Sequence, residues 1–71
     1  MEKLVLKLEE ILEVDNLDVT KKFTDYEEWD SLAGLSVLAM LDSDYNTTMS
    51  GKEVAAFDSI EAFCKEVLSR Q

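Results

Sequence analysis

Apolar residues recur at helical spacing in separate stretches of the chain, and this periodicity constrains the fold more than any other feature. Positions three and four apart share one face of an α-helix, whereas a half-buried β-strand needs alternation at every second residue. No strand-like alternation and no proline occur in the sequence. The apolar stripe of the first stretch consists of Leu4, Val5, Leu8, Ile11 and Leu12. The sequence therefore predicts an all-α fold that begins with an amphipathic helix.

The later helices are marked by capping residues. Asp and Ser side chains accept hydrogen bonds from the free amides at a helix start. The pair Asp30-Ser31 precedes an apolar run, which predicts a helix from about Ser31 to about Asp44. A second pair, Asp58-Ser59, opens the last apolar stripe, with Glu61 three residues after Asp58 as in a capping box.

A shorter helix is predicted between these two. Residues 52–57 suggest one or two helical turns. The predicted architecture is thus a small four-helix bundle with a long first loop and a short third helix.

The loop between the first and second helices is unusually long. Loops beyond about 12 to 15 residues are rare in compact domains, so residues 15–30 are expected to be functional or partly helical. The apolar residues expected to pin this loop to the core are Leu17, Val19, Phe23 and Trp29.

Length and charge limit the classes of function. Seventy-one residues suit a single domain, predicted to span residues 1–71. A net charge of -9 disfavours nucleic acid and anionic membranes as partners and favours proteins with basic patches. No stretch approaches the length of a signal sequence or a membrane span, so a cytoplasmic protein without membrane insertion is expected.

The residue types argue against catalysis. The sequence has no histidine and one cysteine, Cys64, so it offers no Cys/His pair, no disulfide and no metal cluster. A serine nucleophile would lack the adjacent base that it needs. Cys64 lies on an apolar stripe and is predicted to be a buried core residue. No enzymatic activity and no metal site are expected.

The triplet Asp30-Ser31-Leu32 at the start of the second helix carries the most information. Aliphatic residues follow the serine at positions four, six, seven and ten, and an aromatic residue follows at position fourteen. Two further pairs, one in the third helix and one at the start of the fourth, continue this pattern of spacing from the serine. These residues are Leu35, Val37, Leu38, Leu41, Tyr45, Glu53-Val54 and Ser59-Ile60. Over nearly all of its length the chain resembles the acyl carrier protein family, the phosphopantetheine-binding carrier proteins.

The resemblance implies a carrier function. A separate phosphopantetheinyl transferase would move 4'-phosphopantetheine from coenzyme A onto Ser31, flanked by Asp30 and Leu32. The thiol of this arm would carry acyl groups as thioesters between enzymes of a fatty-acid, polyketide or specialised lipid pathway; an aminoacyl cargo is the alternative. The starting Met predicts a free-standing carrier, and a monomer is expected. The resemblance also accounts for the long first loop, which is common in the family.

Other residues are candidates for contact with the acyl group or with partner enzymes. Leu32, Leu35 and Met40 are candidates for an apolar surface, although each could be ordinary core. Five acidic residues are candidates for a rim that basic docking patches of acyl-transferring or condensing enzymes recognise, although such clusters are often only solvated. They are Glu27, Glu28, Asp30, Asp42 and Asp44.

Two points stay open. Gly34 costs a helix about 1 kcal/mol relative to Ala, which close approach of a partner, the arm or a packed helix would each explain. The second hypothesis for the whole chain is an unmodified acidic binding module that acts on a basic protein by charge mimicry. Such a module would keep its binding after Ser31→Ala, whereas a carrier would lose its function.

Overall fold

The computed structural model describes residues 2–71, which form four α-helices and no strand. The helices are α1 (Glu2–Leu12), α2 (Ser31–Asp44), α3 (Gly51–Ala56) and α4 (Ile60–Ser69), with a 3-10 turn at Phe23–Asp25. The predicted all-α four-helix bundle, with its long first loop and short third helix, is confirmed. The bounds of α2 agree with those predicted from the capping pair and the apolar spacing. Within residues 2–71 no helix is long and apolar enough to span a membrane.

The core forms where the apolar faces of the helices meet. In α1 the buried residues are spaced four apart, as the predicted amphipathic stripe requires. They pack with buried residues of the other three helices in one cluster. Its fully buried helical members include Leu4, Leu8, Leu12, Val37, Leu41, Val54, Ile60, Phe63, Cys64 and Val67.

The long loop is held by its apolar residues and by α4. Phe23 is buried and meets Phe63 edge-on, with ring centroids 5.0 Å apart. The carbonyls of Val19 and Lys21 accept hydrogen bonds of 2.8 Å from the amides of Glu61 and Ile60. The loop therefore supplies acceptors to the free amides at the start of α4, which explains why so long a segment is ordered.

The cap of α4 differs from the one expected from the sequence, and α3 has a cap that was not predicted. Ser59, not Asp58, is the N-cap of α4, and its hydroxyl accepts a hydrogen bond of 3.0 Å from the Ala62 amide. The predicted box with Glu61 is therefore wrong. A capping box forms instead at α3, between Ser50 and Glu53.

Cys64 and Asn46 both occupy environments that their residue types favour. Burial raises the pKa of Cys64 to about 11, which confirms the prediction of a core cysteine. Asn46, just beyond the end of α2, adopts a left-handed backbone with φ of 49°, a conformation that asparagine tolerates.

Candidate functional site

Ser31 is the first residue of α2 because the residue before it caps the helix. Asp30 has extended backbone angles, and its carboxylate accepts a hydrogen bond of 2.8 Å from the Ala33 amide. The carbonyl of Asp30 accepts the first helical hydrogen bond, 2.9 Å from the Gly34 amide. Asp30 thus performs the capping role that serine performs at α3 and α4.

The hydroxyl of Ser31 is free as a result. Ser50 and Ser59 are N-caps whose hydroxyls accept hydrogen bonds from backbone amides. Ser31 is exposed, and its hydroxyl makes no hydrogen bond to any residue from 2 to 71. Of the three serines at helix starts, Ser31 alone presents its hydroxyl to an incoming reagent.

The backbone at this point suits a phosphate group. Across the described part of the chain, the amides of Ser31 and Leu32 donate no hydrogen bond, and they lie at the positive end of the helix dipole. Such a helix start favours a bound or attached anion. The residues present therefore fit a phosphodiester on the Ser31 oxygen. No group of acidic or thiol side chains among residues 2–71 is placed to hold a metal ion.

An apolar groove begins at Ser31 and follows α2 toward α3; we call it the α2–α3 groove. Its volume is about 550 Å³. It is lined by Trp29, Asp30, Ser31, Gly34, Leu35, Leu38 and Gly51. Trp29 is half-buried and packs on Phe23 with ring centroids 4.8 Å apart, so the prediction that Trp29 anchors the loop is confirmed.

A second groove lies on the other side of the α2 start, between α2 and the end of α1; we call it the α1–α2 groove. Its volume is about 310 Å³, and carboxylates of Glu13, Glu28 and Asp30 line it together with Ser36. The two grooves therefore differ in polarity: the α2–α3 groove is mainly apolar, and the α1–α2 groove is negatively charged.

The three apolar candidates from the sequence lie in different environments. Leu32 and Leu35 are 74% and 62% exposed on the first two turns of α2. Leu32 belongs to the α1–α2 groove and Leu35 to the α2–α3 groove. Met40 is only 9% exposed and belongs to the core cluster, which agrees with the alternative that it is an ordinary core residue; only a group that enters the core would touch it.

The acidic candidates also differ from each other. Asp42 is exposed. Asp44 accepts a hydrogen bond of 2.7 Å from the ammonium of Lys7, an ion pair that joins the end of α2 to α1. This hydrogen bond lowers the pKa of Asp44 and raises the pKa of Lys7. Part of the negative charge of Asp44 is thus neutralised within the protein by Lys7, whereas the charge of Asp42 is exposed.

Sequence reasoning missed Glu13 and Gly51 as residues of the grooves. Glu13 belongs to the helix end by sequence, and only the packing of α1 on α2 brings it close to Glu28 and Asp30, two members of the predicted acidic rim. Gly51 enters the α2–α3 groove because α3 starts opposite Ser31. The capping pattern of Ser50 and Glu53 could have placed that start.

In comparison with known proteins, a family model described as a phosphopantetheine attachment site matches residues 2–67. No curated protein and no solved structure matches the chain significantly.

Proposed function

The chain belongs to the phosphopantetheine attachment-site family, whose members carry a covalently attached 4'-phosphopantetheine, and from this premise we propose that Ser31 is the attachment residue. The observation that carries the proposal is the free, exposed hydroxyl of Ser31 at a helix start whose cap is another residue. Ser31 stands in an Asp-Ser-Leu triplet, and residues 2–67 match the family over its surroundings.

The covalent step needs a partner enzyme. The Ser31 oxygen forms a bond to the phosphorus of coenzyme A that bears the pantetheine, and the bond from that phosphorus to the bridging oxygen breaks. Adenosine bisphosphate leaves, and the hydroxyl proton goes to a base. The sequence has no histidine, so the transferase supplies that base. Carrier proteins of this family act with such a transferase and with pathway enzymes.

Asp30, Ser31 and Leu32 have different roles at the attachment site. Asp30 holds the α2 start in place, and the free amides of Ser31 and Leu32 would be available to the phosphodiester. When bound, the group supplies a thiol that takes acyl cargo as a thioester. The chain itself catalyses nothing, and its cargo belongs to a fatty-acid, polyketide or specialised lipid pathway.

The partner surface surrounds Ser31. Exposed Leu32 and Leu35 give apolar contact, and Asp42 and the α1–α2 groove give negative charge. Transferring or condensing enzymes with basic patches around an apolar centre fit this surface. The protein acts as a monomeric, single-domain carrier in the cytoplasm.

The intact mass of the protein after incubation with coenzyme A and a broad-specificity phosphopantetheinyl transferase tests the proposal. We expect wild-type protein to gain one phosphopantetheine and Ser31→Ala to gain none. Ser36→Ala is the matched control, because Ser36 is an exposed serine on the same helix, and it should gain the group fully. A folded wild-type protein that gains no mass would contradict the proposal and favour the acidic binding module.

A further inference from the structure

An apolar groove lies between α1 and the long loop, apart from the two grooves beside Ser31; we call it the α1–loop groove. Its volume is about 560 Å³, and Glu2, Val5, Leu6 and Val19 line it. Leu6 is 59% exposed, whereas the other leucines of α1 are buried. None of these residues lines a groove beside Ser31. The function proposed for Ser31 therefore does not account for this exposed leucine.

Carboxylates continue the α1–loop groove along α1. Leu6 also belongs to an adjoining groove of about 380 Å³, which is lined further by Glu9, Glu10, Glu13, Val14 and Asp15. Glu9 accepts a hydrogen bond of 2.8 Å from the Leu17 amide. The other three carboxylates are exposed, and no ion pair found among residues 2–71 involves them. The two grooves meet at Leu6 and form one surface, which we call the α1 face.

Leu6 lies far from Ser31 along the bundle. Glu13, just beyond α1, shares a groove with Asp30 at the start of α2, whereas Lys7 pairs with Asp44 at the end of α2. The two helices are therefore antiparallel, and Leu6 lies level with the end of α2. Since α2 has 14 residues, its ends are about 20 Å apart. A protein bound over Leu6 leaves the Ser31 hydroxyl accessible.

Charge decides between the possible occupants of the α1 face. A second copy of this chain would bring the same carboxylates together in a symmetric dimer, and the net charge of -9 adds to their repulsion. An anionic membrane is repelled for the same reason. A basic protein segment has the complementary charge. Helix α1 has 11 residues and is about 16 Å long, which matches an amphipathic helix of about three turns.

We propose that the α1 face binds a basic amphipathic helix of a partner protein. One apolar side chain of this helix enters the α1–loop groove beside Leu6, and its Lys or Arg side chains meet Glu10, Glu13 and Asp15. The inference goes beyond the proposed function of Ser31 and does not depend on it. The partner is not the transferase, which acts at Ser31. Its binding holds the carrier while Ser31 stays available to other enzymes.

A synthetic peptide titrated into isotope-labelled apo protein tests the proposal. The probe is a helix-forming peptide of about 15 residues, with leucines at helical spacing and lysines on both flanks. A scrambled peptide of the same composition is the control. We expect the largest changes of amide chemical shift at Val5, Leu6, Glu10 and Val19, and weaker binding of the scrambled peptide. No binding, or the largest changes around Ser31, would overturn the proposal.

Leu6→Glu and Leu35→Glu form a matched pair of variants. The two leucines are 59% and 62% exposed, and each substitution adds one negative charge, so charge alone would strengthen peptide binding in both. We expect Leu6→Glu to raise the Kd roughly tenfold, because an apolar anchor is lost, and Leu35→Glu to leave it nearly unchanged. An unchanged Kd for Leu6→Glu would overturn the proposal. A wild-type dimer that only Leu6→Glu breaks, measured by light scattering, would also overturn it.

The charge of the α1 face is tested separately. The double substitution Glu10→Gln with Asp15→Asn removes two charges from the face. Glu27→Gln with Asp42→Asn removes two charges from exposed positions outside it. We expect the first double to raise the Kd of the peptide several-fold more than the second, and added salt to reduce the difference. Equal increases would overturn the proposal.

Access to Ser31 is measured on peptide-saturated protein. With coenzyme A and the transferase, it should gain one phosphopantetheine by intact mass, as the peptide-free protein does. Modification that the amphipathic peptide blocks and the scrambled peptide does not would overturn the proposal.

Discussion

Asp30 and Ser31 are neighbours with separate tasks. A serine at a helix start is usually the cap, and its hydroxyl is then occupied by a backbone amide, as at Ser50 and Ser59. Here Asp30 takes that hydrogen bond. The order Asp-Ser moves the serine one position into the helix and leaves its hydroxyl free for modification.

Replacing Asp30 should destabilise the protein without removing the Ser31 hydroxyl. Loss of an N-cap side chain costs about 1 kcal/mol, so we expect Asp30→Ala to lower the free energy of unfolding of apo protein by about that amount. Asp30→Asn, which keeps a capping oxygen, should recover most of the loss. Urea unfolding measures both variants, and equal stability of Asp30→Ala and wild type would show that this cap contributes nothing.

At the scale of the elements, the end of α1 is closed by a backbone motif that its sequence does not favour. The Val14 amide donates a hydrogen bond of 3.1 Å to the Glu9 carbonyl, and Glu13 between them has φ of 56°. This is the Schellman arrangement, in which glycine usually occupies the left-handed position. Glu13 therefore carries backbone strain.

Glu13→Gly should relieve that strain. We expect the free energy of unfolding to rise by about 1 kcal/mol, because glycine adopts the left-handed conformation without a steric cost. Glu13→Ala, which removes the same carboxylate and keeps the Cβ, is the matched control and should gain nothing. Thermal unfolding compares the three proteins. If Glu13→Ala gained as much stability as Glu13→Gly, the effect would come from the loss of the carboxylate charge and not from relief of backbone strain.

The ion pair between Lys7 and Asp44 should give a defined dependence of stability on pH. Folding lowers the pKa of Asp44 below 3.8, so its stabilisation is present above that value and is lost as the pH falls through the lowered pKa. Folding raises the pKa of Lys7 above 10.5, so that contribution is present below 10.5 and lost as the pH rises through the raised pKa.

The comparison of Asp44→Asn with wild type measures this contribution. The difference in Tm should be constant between roughly pH 5 and 9 and should shrink below roughly pH 4. Asp42→Asn changes the net charge equally at an exposed position on the same helix, and it should show no such pattern. A difference that stays constant down to the lowest pH would contradict the role given to this pair.

The helices could be predicted from local sequence patterns, whereas the hydrogen bonds of the long loop and the two grooves beside Ser31 depend on tertiary packing. The bounds of α2 could be predicted because Asp30 and the apolar spacing are both local to the segment. The bonds from the loop carbonyls of Val19 and Lys21 to α4 join residues about forty apart in sequence, so no local pattern indicates them. The candidate serine was predicted from the resemblance of nearly the whole chain to a carrier family, since an Asp-Ser-Leu triplet alone also caps ordinary helices. The grooves beside it were not, because Glu13 and Gly51 reach them only through tertiary contacts.

At the scale of the whole molecule, negative charge borders the candidate attachment residue. The three ion pairs found among residues 2–71 involve Lys7, Lys65 and Arg70. None of these basic residues lines either groove beside Ser31. The carboxylates of Glu13, Glu28 and Asp30 line the α1–α2 groove with no cation among its lining residues, so the field around Ser31 favours basic partner surfaces.

Local charge should therefore matter more than net charge in the reaction with the transferase. We expect the double substitution Glu13→Gln with Glu28→Gln to lower kcat/KM several-fold, mainly through KM. The double substitution Glu2→Gln with Glu10→Gln changes the net charge equally at exposed positions outside the α1–α2 groove, and it should have little effect. An equal loss of kcat/KM in the two double variants would contradict the claim that the transferase recognises the charge near Ser31. Added salt should reduce the difference.

The central claim is that Ser31 carries the group, and peptide mapping of holo protein tests it most directly. Trypsin cleavage after Lys22 and Lys52 releases residues 23–52, which contain Ser31 and three other serines, Ser36, Ser43 and Ser50. Fragmentation mass spectrometry then assigns the modified residue. We predict phosphopantetheine on Ser31 alone; its presence on another residue of the chain, or an unmodified peptide from protein treated with active transferase, would contradict this claim.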